Sequence, residues 1–130
     1  MLETDLRNFL IAAPTISALV AQRIYGLIRE PNTPLPSINV QRAHTQRQEL
    51  FCGVAPLADA SMQIDSFGID GDTAWAVAKA LRLLFQNLTN VAMGPTLVQK
   101  MFLANEFPMV DPDPGIIRVV QLYNVWYLED

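Results

Sequence analysis

One cysteine, one histidine and six scattered glycines leave little of the usual catalytic vocabulary in this chain of 130 residues. Cys52 has no second thiol to pair with inside the chain, so a reducing compartment is expected. His44 is the only histidine and lies among Gln41, Arg42, Gln46 and Arg47, a setting that favours a surface side chain over a general base. Cys52 lies eight residues further on with no recognisable third group to orient a nucleophile–base pair. The glycines include no Gly-x-Gly pair, which excludes the common phosphate-cradling loops. Charged residues make up only 17% of the chain, against about 25% for an ordinary soluble domain. Lys and Arg total nine against thirteen Asp and Glu, giving a net charge of −4. A grip on nucleic acid needs clustered basic residues, and this balance argues against one. No apolar run reaches the 18 or more residues of a membrane span. The opening Met-Leu-Glu-Thr-Asp puts acids where a signal peptide carries bases, so a soluble intracellular chain with no membrane contact is expected.

What is abundant is apolar: 51% of the residues. Some of that surplus is expected on the surface, where it marks protein contacts, and a homo-oligomer is the simplest outcome. The most regular stretch is 115–128, rich in β-branched and aromatic residues with no proline. It reads as a strand. At roughly 3.3 Å per residue it would run about 45 Å, long enough to be a central rib.

Upstream, Leu2, Leu6, Phe9 and Leu10 fall at helical spacing over 2–12, with Glu3 and Asp5 in the first turn where the helix dipole favours acids. Pro14 suits the first turn of a second helix over 15–23, with Ile16, Leu19, Val20 and Ile24 on one face. Residues 29–37 hold three prolines and read as an extended connector. Alternation then predicts a strand over 37–47, a mobile loop or long hairpin tip over 48–60, and a strand over 60–67. The strongest helix spans 72–90, its apolar face formed by Ala74, Val77, Ala78, Leu81, Leu84, Phe85 and Leu88, with Asp70 or Asp72 as cap. A strand over 96–106 and a proline-rich connector over 107–114 lead into the terminal strand.

The resulting order is α-α-β-β-α-β-β in one domain, an α+β fold. Its sheet is expected to be four-stranded and mostly antiparallel, with helices on one face. Neither Asp70-Gly71-Asp72 nor Asp111-Pro112-Asp113 matches the EF-hand ligand spacing, and capping and turn chemistry explain both. No cofactor, metal site or catalytic residue is expected. The aromatic residues Tyr123, Trp126 and Tyr127 are expected to pack in a core or an interface.

Three stretches together resemble the bacteriophage tail terminator family, also called tail completion or head–tail joining proteins, of long-tailed phages, prophages and gene transfer agents. They are Leu35-Pro-Ser-Ile-Asn-Val-Gln-Arg42, then Ala60-Ser-Met-Gln-Ile-Asp-Ser-Phe67 followed by Ala74-Trp-Ala-Val-Ala-Lys-Ala-Leu81, and the ending Pro112 to Tyr127. The resemblance implies a structural virion protein at the tail–head junction and not an enzyme; the alternatives are another neck or head–tail connector component and, from a different class, a small ligand-binding or enzymatic α+β domain. It implies a ring, in this family a hexamer, that caps the tail tube and ends its growth. Its partners would be further copies of itself, the tail tube protein and a head-side neck or connector protein. DNA would pass through the ring without specific binding, a passage that a net negative subunit suits. On this reading Arg42, Arg47, Glu49, Phe51, Glu106, Asp111 and Trp126 are the candidates for subunit or tube contacts.

Overall fold

A computed structural model describes residues 2–26, 34–50, 53–110 and 116–128, with 44–50 and 53–58 described along the backbone only. The elements in chain order are α1 (Leu2–Ala12), α2 (Pro14–Val20), β1 (Ile24–Gly26), β2 (Ser37–Leu50), β3 (Gly53–Gly68), α3 (Gly71–Gln86), β4 (Val91–Met93), β5 (Thr96–Val110) and β6 (Ile117–Leu128). The α+β class holds, but the sheet has six strands rather than four, in the order β1-β2-β3-β6-β5-β4. The two additional strands are three-residue edge pieces. β1 runs parallel to β2, and β4 antiparallel to β5.

The last strand is the central rib. β6 pairs antiparallel with β3 along one side and with β5 along the other, over its whole length. One face of the sheet carries the helices. Ile38 and Val40 of β2, Met62 and Ile64 of β3, Tyr123, Val125 and Tyr127 of β6, and Val98 and Met101 of β5 are all buried. They form one core with Leu2, Leu6 and Leu10 of α1, Ile16 and Val20 of α2, and Val77, Leu81 and Phe85 of α3. Phe85 meets Tyr123 edge-on, with ring centroids 5.2 Å apart. An edge-to-face pair of this kind adds about 0.5–1.5 kcal/mol beyond burial.

Local chemistry sets the boundaries. Asp70 caps α3 by accepting a hydrogen bond from the Thr73 N–H at 2.8 Å, as its position before the helix suggests. α2 stops at Val20 because Ala21 adopts φ 54°, so the expected helix over 15–23 ends early and Ile24 begins a strand instead. Gly68 ends β3 directly under α3. A Cβ there would stand 2.7 Å from the Ala74 nitrogen, so only glycine lets the strand and helix meet this closely.

Two further expectations are sharpened. Of the two readings of 48–60 the tip of a long hairpin holds over the loop: β2 reaches Leu50 and β3 starts at Gly53, paired as a long antiparallel ribbon. Bulges between Arg42 and His44 and between Arg47 and Glu49 break the alternation that would have marked it. β5 likewise continues through Pro108 to Val110, into the expected connector over 107–114. An edge position tolerates proline, because the missing N–H need not serve the ladder. The connector over 29–37 and the remainder of 107–114 fall largely outside the described residues.

Candidate functional site

Side chains alternate across a strand, so the residues between the core positions face away from the helices. That outer face has two halves. The lower one is closed by polar groups. Asp65, nearly buried, accepts from the Gln63 amide at 3.0 Å and faces the Arg118 guanidinium at 3.6 Å. Arg118 in turn lies over the Phe67 ring, 5.8 Å from its centroid. The upper half mixes apolar and polar side chains: Leu122 and Trp126 are half-exposed and Phe102 is exposed, beside the Ser61 hydroxyl that donates to Asn124 Oδ1 at 3.4 Å. Register places Trp126 between Asp59 of β3 and Lys100 of β5.

The candidate residues separate into three groups. Arg42 is a tether within the subunit. Its Nε stands 2.7 Å and its Nη2 3.1 Å from the two Glu3 carboxylate oxygens of α1, a forked ion pair that ties the helix to the sheet. Its guanidinium also lies 5.9 Å from the Tyr127 ring centroid. Glu106 is engaged as well, accepting from Gln121 Nε2 at 2.9 Å and from Arg82 Nη1 at 3.3 Å. Trp126 is half-exposed on the outer face. Arg47 and Glu49 are β2 residues, paired in register with Ala58 and Val54, and their side chains lie outside the described atoms. So does the His44 side chain. Phe51, Cys52 and Asp111 lie outside the described residues.

Sequence reasoning missed Gln121. It is fully buried on the helix side of β6, and its amide donates both to Glu106 and to the Ala78 carbonyl of α3 at 3.0 Å. The available signal was a polar residue at an inward position of an otherwise apolar strand. Tyr123, two residues on, has its phenol pKa pushed well up, first by burial and then by the Glu106 charge. Asp5 was also missed. It reads as a first-turn acid, yet it is buried and accepts from the Thr96 hydroxyl, holding α1 against the turn at Gly94.

Two clefts flank the sheet. One, of about 350 Å³, lies between α3 and β5 and is lined by Arg82, Phe85, Lys100, Met101 and Phe102. The other, of about 530 Å³, lies between α1 and the point where β1 leaves β2, lined by Glu3, Arg7, Gly26, Val40 and Arg42. Several of their polar members tie helices to the sheet: Arg42 to Glu3, Arg82 to Glu106, and Lys100 Nζ to the Gln86 carbonyl at 3.2 Å.

Among the described residues the arrangement offers surface rather than a catalytic constellation. The chain belongs to the family of tail completion protein gp17, whose model matches residues 4–128. Its fold is similar to a chain in the solved virion of a native gene transfer agent particle, with a TM-score of 0.69 and 16% identity, covering 98% of this chain and 94% of that one. No curated protein sequence matches it. By family, then, the chain is a tail completion protein.

Proposed function

We propose that this chain caps the phage tail tube as a ring, ends the tube's polymerisation and offers the surface to which the head-side connector binds. The observation that carries the reading is the family match across nearly the whole chain. Fold likeness to a chain of a gene transfer agent virion supports it. A closed ring needs two different, complementary patches on each subunit. Half-exposed Leu122 and Trp126 with exposed Phe102 on the outer face, and exposed Met109 and Val110 at the end of β5, supply surface of that kind. The net charge of −4 suits a subunit past which DNA slides without sticking. In this reading the partners are other copies of the chain, six to a ring, together with the tail tube protein and a neck protein at the tail–head junction.

Purified tube protein polymerised with and without the chain tests this reading. Tubes of fixed length, each ending in an added ring in negative-stain images, are the expected result. Tubes that lengthen equally in its presence would overturn it.

A further inference from the structure

α1 carries its charges in a pattern that ordinarily settles them within the helix. Glu3 and Arg7 stand four residues apart with the acid first, the favoured order for an ion pair along a helix face. The structure breaks that pairing. Both Glu3 oxygens go to the Arg42 guanidinium of β2, at 2.7 Å and 3.1 Å. Asp5, the other acid of α1, is buried and accepts from the Thr96 hydroxyl. Arg7 is left with no hydrogen-bond or ion-pair partner among the described residues.

Arg7 is nonetheless held in place. It is half-buried, and its Nε is sealed from solvent with nothing to donate to. The guanidinium lies against the bare backbone of Gly26, where a Cβ would stand 3.4 Å from Nη1. A partly desolvated cation short of an acceptor is costly, and a bound anion offsets that cost. The guanidinium lines the cleft of about 530 Å³ between α1 and the point where β1 leaves β2. Thr4, exposed one turn before it, and Gln41, half-exposed on β2, line the same cleft and add a hydroxyl and an amide to its donors.

We infer that this cleft is a binding site for a single carboxylate, held by the Nη groups of Arg7 with Thr4 and Gln41 beside them. Charge selects the ligand. The ionic side chains of the cleft are Glu3, Arg7 and Arg42, two cations against one acid, so one positive charge remains. A carboxylate balances it. A phosphate monoester carries a charge of about −1.5 to −2 at pH 7 and overshoots beside the Glu3 carboxylate. A nucleic-acid backbone brings a row of charges, and one free arginine on a chain of net charge −4 offers it no grip. Shape agrees with this choice. The planar fork of an arginine matches the two oxygens of a carboxylate, and the cleft also has room, against Val40, for the residue or molecule that carries them.

The test follows the Arg7 Nε–H signal by NMR on the full chain, since a sealed N–H exchanges slowly enough with water to be observed. Sodium acetate, acetyl-Gly-Glu-Gly-amide and inorganic phosphate are titrated separately at constant ionic strength. Saturable shifts in about the millimolar range are expected with acetate and the glutamyl peptide, and binding at least about tenfold weaker with phosphate. A peptide bound at least about tenfold more tightly than acetate assigns the carboxylate to a polypeptide, and equal affinities assign it to a free acid. Read at the Gly26 amide, Arg7→Gln should abolish the shift with the fold intact. Arg7→Lys keeps the charge but loses the planar fork, and should weaken binding at least about tenfold. Glu3→Gln adds one positive charge to the local balance and should bring phosphate level with acetate. Phosphate level with acetate already in the wild type overturns the site, as do shifts that never saturate or that persist in Arg7→Gln. So does a shift seen only in Glu30→Gln, because the chain itself would then be supplying the acid. Each of these failures leaves the capping reading untouched.

Discussion

Asp70 shows how one side chain can be legible in sequence and still carry a consequence that only geometry defines. Its bond from the Thr73 N–H holds its carboxyl below the ordinary value of 3.8. A depressed acid adds stability that is present above the unfolded pKa and lost as pH falls through the lower folded value. Asp70→Asn keeps an oxygen that can cap the helix but cannot titrate. Thermal melts should therefore be nearly unchanged at neutral pH, with a shallower loss of Tm below about pH 4 than in wild type. An acid limb identical to wild type would mean the cap does not couple to folding. Gln121 is the opposite case, since nothing in its spacing announces what it binds. Gln121→Met would leave the Ala78 carbonyl and the Glu106 carboxylate each short of a donor. The expected cost is about 1–3 kcal/mol, read as a lower urea midpoint with an unchanged slope. A midpoint equal to wild type would refute that role.

Among the elements, α1 was legible to the residue, and α3 and β6 were legible nearly as well, because each shows one unbroken period. β1 and β4 were not, since three residues carry no measurable alternation and owe their form to β2 and β5. The length of β5 was hidden by Pro108, which reads as a connector unless the strand is known to lie near an edge. The ribbon formed by β2 and β3 was hidden by its own bulges. The candidate contacts pose the same problem. Charge at the end of a strand is visible in sequence, but whether it serves the subunit or its neighbour depends on what packs beside it. Arg42 and Glu106 turned out to hold α1 and α3 to the sheet.

For the molecule as a whole, Trp126 separates folding from assembly. It is half-exposed on the outer face, whereas its neighbours Val125 and Tyr127 are fully buried. Trp126→Ala should fold with a far-UV spectrum like wild type while losing assembly on tubes, as judged by negative-stain imaging. A variant that is unfolded at 25 °C would assign the residue to the core instead. The central position of β6 has a consequence in time. Until residues 117–128 are in place, β3 lacks the partner along one whole side, and so does β5. Two halves of the sheet, distant in sequence, must wait for the segment made after both of them, and pairings across such separations form slowly. The nascent chain is therefore most vulnerable to the wrong strand in the interval when β3 and β5 are made and the right one is not.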